Sequence, residues 1–288
     1  MRNGVILSGD SLTVASVEKA FRVLEAFGQS IEELGLAEIV ALTGLEKSAA
    51  QRFAHSLWQA GYLEKNERTR RFKLGKRVLD LSYFYLRSNP LIEAATPALV
   101  ELRRACGERV NLSLHDDLTL IYAIRQQSKR EYFFGTLIGR RVPVFSSAGG
   151  RAILSALPHD QAEDIIARSD RSPLTPNTIT DPAAIRDKVA EARVQGFGLA
   201  VEETVPGELT LGVAVTDAAG VPIAAIHIAG SVAEWAPQTF AARFAPFAME
   251  TAQSLSRSRV VTATGGSAAR QVAPARVVRN RSAPARRL

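Results

Sequence analysis

Three short stretches between Val17 and Leu57 repeat apolar residues at helical spacing, and single glycines punctuate them. That pattern restricts the first quarter of the chain to a small helical cluster with tight turns. Val17, Ala20, Phe21, Leu24 and Phe27 define a first helix, with Ser16 in the cap position, Lys19 where a capping box would carry Glu, and Gly28 at the stop. Leu36, Ile39 and Val40 define a second, which ends at Thr43-Gly44. The third buries Ala50, Phe53, Ala54 and Leu57 and closes at Gly61, while Lys47, Ser48, Gln51, Arg52 and His55 share a different face. Tyr62 to Leu74 then reads as a hairpin, with Leu63, Phe72 and Leu74 inward and Asn66 to Arg70 at the tip.

Two short helices joined by a glycine turn, followed by a basic hairpin, match a winged helix-turn-helix, whose second helix enters the major groove of double-stranded DNA. Lys47 and Ser48 stand at the helix start, where free N–H groups and the helix dipole favour phosphate. Gln51 and Arg52 are side-chain types that reach adenine and guanine edges, and His55 lies on the same face. Arg68, Arg70 and Arg71 place positive charge on the hairpin. The alternative is a small-molecule-binding protein whose winged segment mediates dimerisation or protein interaction and never meets DNA.

Charge separates the two readings. Residues 47–77 carry nine Lys and Arg against two Glu, and residues 251–288 carry eight Arg and no acid. With a whole-chain net charge of +7, the remainder is net −8, so the basic segments are local features of an acidic body. The first coincides with the third helix and the hairpin, which favours DNA. Within the second, residues 261–288 are rich in Ala, Gly, Ser, Pro and Arg with no apolar period, the composition of a disordered basic tail, either a solubility extension or a non-specific nucleic-acid contact.

With 46% hydrophobic and 23% charged residues and one cysteine, the 288-residue chain falls outside membrane, collagen and disulfide-scaffold classes. The first residues, interrupted by Asp10, resemble neither a signal peptide nor a membrane span, which points to a cytoplasmic protein. No catalytic or metal constellation emerges. His55, His115, His159 and His227 make no HExxH, Ser146-Ser147 lacks the spacing of a nucleophile elbow, and Gly196-Phe197-Gly198 has Val201 where a dinucleotide loop needs glycine. Adjacent Glu202 and Glu203 point to opposite faces of a strand, His115 with Asp116 and Asp117 reads as a strand end, and Cys106 reads as packing. No cofactor is expected.

Beyond the hairpin, Lys76 to Arg87 is apolar on too many faces for a lone surface helix, which suits a linker or a dimer seam, and Asn89-Pro90 breaks it. Alternating runs at Val110–Leu114, Leu118–Ile124, Leu209–Val215 and Val221–Ile228, with helices at about Glu93–Ala105 and Pro182–Gln195, make an α+β domain.

From about Thr13 to Ser258 the chain resembles the IclR family of bacterial transcriptional regulators. VEKAFRVLEAF, LAEIVALTGLEKSAAQRFAHSLWQAGYL and the RFKLG wing look like its DNA-binding domain, and GRRVPVFSSAGGRAILSAL is similar to its effector-loop region. TPNTITDPAAIRDKVAEARVQGFGLAVEE and VPIAAIHIAG resemble the helix, strand and core hairpin of its ligand-binding domain. The resemblance implies a winged helix-turn-helix at 13–75, a linker helix at 76–90, and a GAF-like effector-binding domain with an antiparallel sheet at 91–260. It implies a homodimer or homotetramer on a DNA operator, controlled by a small carboxylic acid. Family effector positions fall on Ala148 and Gly149, whose small size lets backbone N–H groups approach a carboxylate beside a helix starting near Gly150, and on Ala200, Thr210, His227 and Ala229. Familiar members carry Asp, Cys and Ser where this chain has Ala200, Thr210 and Ala229. That implies a larger, less polar pocket with His227 as a titratable contact, suited to an aromatic carboxylate. TPNTITDPA and AGGRAILSALP look like the branch controlling aromatic-acid catabolism.

Overall fold

A computed structural model describes residues 12–29, 32–128 and 138–258, and the basic tail lies outside them. The chain divides into two compact units between Tyr85 and Leu86.

The first unit holds α1 (Ala15–Ala26), a 3-10 turn (Phe27–Gln29), α2 (Leu36–Thr43), α3 (Lys47–Gln59) and the hairpin β1 (Leu63–Lys65) and β2 (Phe72–Leu74). Its core is Val23, Ile39, Ala50, Ala54, Leu63 and Phe72. The α2–α3 turn depends on Gly44, which sits at φ +67° and donates to the Val40 carbonyl. There a side chain would be strained. Thr43 completes the turn, donating to the Ile39 carbonyl at 2.6 Å and accepting from the Leu45 N–H at 3.3 Å. The hairpin gains a third backbone partner at Leu34, which exchanges hydrogen bonds with Phe72.

Three expectations change. Ser16 lies inside α1, whose N-cap is Val14 with no side-chain bond. Val17 and Phe21 are 50% and 54% exposed, because α1 has two apolar faces and the core takes the one with Val23 and Ala26. Leu74, at the end of β2, is exposed rather than inward. The helix α4 (Arg77–Ser88) buries none of its residues and exposes Leu79, Leu81, Tyr83, Phe84 and Tyr85.

The second unit is built on a six-stranded antiparallel sheet. Its strands are β3 (Arg109–Asp116), β4 (Thr119–Gln126), β5 (Arg141–Pro143), β6 (Gly198–Val201), β7 (Glu208–Thr216) and β8 (Pro222–Ser231), in the order β5-β4-β3-β8-β7-β6. Helices α5 (Pro90–Cys106) and α9 (Pro237–Ser256) cover one face; α6 (Ala148–Ala156), α7 (His159–Arg168) and α8 (Pro182–Gln195) lie on the other. Strand alternation sorts the two cores. Val110, Leu112, Leu211, Val213, Ile226 and Ile228 pack with Leu99, Phe240 and Phe244 on the first face. On the second, Leu120, Tyr122 and Ala225 meet Ile153, Leu154, Ile166 and Ile185. Helix starts follow local chemistry: Asn89 Oδ1 accepts from the N–H groups of Leu91 and Ile92 ahead of α5, and Asp181 caps α8 through Ala184 N–H. The molecule is thus α+β, with the mixed helix and sheet layout the sequence pattern implied.

Candidate nucleic-acid and effector sites

Lys47, Ser48, Gln51, Arg52 and His55 are all exposed on α3, on the side away from buried Ala50 and Ala54. Glu46, the N-cap residue, makes no side-chain bond to the helix start, so it does not cap the first N–H groups of α3. Trp58 ties the far end of α3 to the hairpin: Lys65 Nζ stands 4.9 Å from its ring centroid and His55 meets it edge-on at 5.5 Å. At the wing tip Asn66 Oδ1 accepts from the N–H groups of Arg68 and Thr69, and Arg70 turns the chain at φ +58°. Arg68 and Arg70 remain exposed.

Arg71 departs from the expected DNA-contacting role. Its Nη2 donates to the Glu33 carbonyl at 2.6 Å and to Glu38 Oε2 at 2.7 Å, and its Nε to the same carbonyl at 3.0 Å. The Gly35 N–H and the Arg71 guanidinium hold the Glu38 carboxyl below its usual range. Arg71 thereby clamps the wing to the start of α2.

In the second unit, sheet register assembles the other candidate residues. Ala200, Thr210, Ala229 and Arg109 form one rung across β6, β7, β8 and β3, and Gly198, Gly212, His227 and Asn111 form the next. The N-terminus of α6 sits directly on this face. A Cβ on Gly212 would fall 2.3 Å from Gly149 N, and one on Gly149 would fall 2.3 Å from His227 Cε1. The glycines are therefore a steric requirement of the close approach. The helix starts at Ala148, two residues earlier than expected, capped by Ser147 Oγ accepting from Gly150 N–H at 3.2 Å. Ala148 and Gly149 thus occupy the first turn, where backbone N–H groups have no partner within the helix.

The six predicted effector residues converge, but the face is more polar than the Ala200, Thr210 and Ala229 substitutions implied. Its polarity comes from buried groups on β3 and β7 that sequence reasoning missed: Arg109, Asn111, Ser113 and Glu208. Arg109 pairs with Glu208, which also accepts from Thr210 Oγ1 at 2.9 Å. Ser113 Oγ lies 2.7 Å from His227 Nε2, and the Tyr122 ring is 5.2 Å from the imidazole. The missed signal was RVNLSLH, where Arg109, Asn111 and Ser113 recur at every second position of a strand whose other face is apolar. His227 is fully buried, and desolvation followed by the Arg109 charge pushes its pKa down to about 3. It is therefore a neutral hydrogen-bonding group, not the titratable contact expected.

A separate cavity of about 480 Å³ opens at the free edge of β6, between α8 and α9, and includes Phe197, Leu199, Lys188 and Gln238 in its wall. At its base Arg151 and Glu203 form a two-pronged ion pair at 2.6 and 2.7 Å. None of the six effector candidates lines it, and its charged groups are paired with one another, so size alone does not make it the effector site. Elsewhere the groups considered for catalysis have structural partners. His115 sits between the carbonyls of Pro222 and Asp117, and burial pushes the Cys106 thiol pKa up, away from the reactive thiolate. Among the described residues no acidic, His or Cys cluster suits a metal, and no helix is long and apolar enough to cross a membrane.

Residues 16–67 match the IclR helix-turn-helix domain, and residues 83–257 match the domain described as bacterial transcriptional regulator IclR C-terminal. The chain belongs to the IclR family. This IclR-family protein is 26% identical over 249 residues to the Pca regulon regulatory protein of Pseudomonas putida, covering 86% of this chain and 85% of that one. It is 28% identical over 247 residues to the p-hydroxybenzoate hydroxylase transcriptional activator of Acinetobacter baylyi, covering 84% and 90%. Its fold is shared with an IclR homologue from Microbacterium hydrocarbonoxydans crystallised with 4-hydroxybenzoate, at TM-score 0.68 and 21% identity, over 84% of this chain and 98% of that one. The regulator is thus a DNA-binding transcription factor and not an enzyme, which sets aside the reading of the winged unit as a mere interaction module.

Proposed function

We propose that operator DNA is held by the exposed face of α3 and the wing, and that a small carboxylic acid binding where α6 meets the sheet controls operator affinity. Gln51 and Arg52 read base edges, His55 adjoins them, and Lys47, Ser48, Arg68 and Arg70 contact phosphates. Arg71 acts by fixing the wing. The effector's carboxylate takes the N–H groups of Ala148 and Gly149, with Ala200, Thr210, His227 and Ala229 around it. The observation that carries this reading is the close packing of the α6 N-terminus on a buried polar sheet face, which pairs anion-binding donors with a specificity surface. An aromatic acid is the favoured class, supported by the names of the relatives and by the Tyr122 ring beside His227.

Exposed apolar residues at and just before α1 (Val14, Val17, Phe21) and on α4 (Leu79, Tyr83, Phe84) support self-association as a homodimer or homotetramer in the cytoplasm, with a second copy covering these helices. Control is then linkage: an effector that favours one arrangement of the paired DNA-binding units by about 1–3 kcal/mol changes operator affinity by about 5–150-fold. A calorimetric panel of aromatic, aliphatic and sugar acids tests the ligand class. Heat from an aromatic acid that disappears in Gly149→Val, with the variant still binding DNA, supports the proposal. Binding of a sugar acid alone overturns the aromatic assignment.

A further inference from the structure

The wing is tied to the rest of its unit in two places. At its base the Arg71 guanidinium reaches the Glu33 carbonyl and the Glu38 carboxylate, and Phe72 exchanges backbone hydrogen bonds with Leu34. The tip, residues 66–70, folds around Asn66. Asn66 Oδ1 accepts from the Arg68 and Thr69 N–H groups at 3.1 and 3.2 Å, and its carbonyl accepts from the Arg70 N–H at 2.8 Å. Among the described residues, the hydrogen bonds that leave this tip for another element end on one atom. Glu33 Oε2 accepts from Asn66 Nδ2 and from Thr69 Oγ1, each at 3.4 Å. Because the turn closes on itself, these two bonds are not needed to build the loop. They fix where the loop stands.

Charge alone would give Glu33 the opposite role. A carboxylate beside the arginine-bearing tip repels phosphate, so removing it would tighten DNA binding. We propose that Glu33 instead raises DNA affinity, as a positioning residue whose carboxylate anchors the wing tip and thereby presents Arg68 and Arg70 to the phosphates. The anchor is continuous with α2, whose Ile39 shares a core with Ala50 and Ala54 of α3, so the tip is referred to the frame that carries the recognition face. A tip already ordered in the free protein loses less conformational freedom on DNA than a loose one. This inference rests on the assignment of Arg68 and Arg70 to phosphates made above, and it gives an acid outside the basic segment a part in that contact.

The test is fluorescence anisotropy of the full-length protein on DNA from upstream of its own gene and on a random-sequence duplex, over a range of salt concentrations. Glu33→Ala is expected to bind both DNAs about 3- to 10-fold more weakly, with a salt slope lower by about one and a denaturation midpoint close to native. Glu33→Gln discards the charge but keeps an amide oxygen for Asn66 and Thr69, so it is expected to bind at least as tightly as the native protein. Arg70→Ala is expected to cost much less in the Glu33→Ala background than in the native one, because the tip is already displaced there. Glu33→Ala binding as tightly as the native protein or as Glu33→Gln, or additive losses in the double variant, overturns the proposal and leaves the phosphate assignment standing. No loss from either Arg68→Ala or Arg70→Ala in the native background overturns both. If Glu33→Ala does not fold, Thr69→Val removes one of the two bonds without changing charge. It is expected to weaken binding about 2- to 3-fold, and unchanged binding overturns the proposal.

Discussion

The face of α3 and the sheet face beneath α6 both concentrate polar side chains, yet Lys47, Ser48, Gln51, Arg52 and His55 are exposed, whereas Arg109, Asn111, Ser113, Glu208 and His227 are buried. The exposed set stays hydrated in the free protein, so each side chain is free to suit its partner and can be exchanged with little effect on folding. The buried set has given up water and must be satisfied within the fold or by a ligand. Under the proposed function, the DNA-reading groups are thus held loosely and the ligand-reading groups rigidly.

The largest effect that can break this contrast is the loss of a buried charge partner. Glu203→Ala leaves the Arg151 guanidinium, 1% exposed, without its carboxylate and is expected to destabilise the second unit by about 3–5 kcal/mol. Ser48→Ala on α3 is expected to leave the denaturation midpoint almost unchanged. Urea titrations of both variants make the comparison, and equal midpoints would erase the distinction.

Acid sharpens it next. The folded pKa of His227, about 3, lies below its ordinary value of 6.5, so the unfolded chain binds the extra proton first. Its contribution to stability is complete above pH 6.5 and is lost as pH falls from 6.5 toward 3, reaching about 2 kcal/mol by pH 5. Unfolding titrations at pH 7, 6 and 5 should show this loss in the native sequence and a flatter profile in His227→Gln.

On the exposed side, Arg52→Ala is expected to weaken operator binding by about 1–3 kcal/mol and to reduce discrimination against altered sites. Arg70→Ala should weaken all sequences similarly and lower the salt slope by about one. Anisotropy titrations on operator and scrambled DNA separate the two. The smallest effect belongs to Arg71→Ala, expected to cost less than about 1 kcal/mol of stability because its partners are half-exposed, with the salt slope unchanged. A slope reduced by one would return Arg71 to the phosphate-contacting set.

The same contrast explains what could be read from the chain. The helices, the glycine turn and the exposed face of α3 are local, so a period of 3.6 and side-chain type sufficed to find them. Periodicity does not say which of two apolar faces of α1 meets the core, so the spacing that defines the helix includes Val17 and Phe21, which the fold leaves exposed. Arg71 was read by its charge, because the Glu33 carbonyl that holds it lies 38 residues away. In the second unit the strongly alternating strands β3, β4, β7 and β8 were legible, and short β5 and β6 were not. The resemblance located Ala148, Gly149 and His227, but Asn111 becomes their neighbour only through a β3–β8 register that joins residues more than a hundred positions apart. Long-range pairing carries no local signature.

The most direct measurement of the central claim is a fluorescence-anisotropy titration of the full-length protein against DNA from upstream of its own gene. It is run at two salt concentrations, with and without aromatic acids, on the native sequence and Gly149→Val. The account predicts steeply salt-dependent binding in both proteins and a shift on adding one acid in the native protein alone. Binding insensitive to salt, or an identical acid response in Gly149→Val, would contradict it.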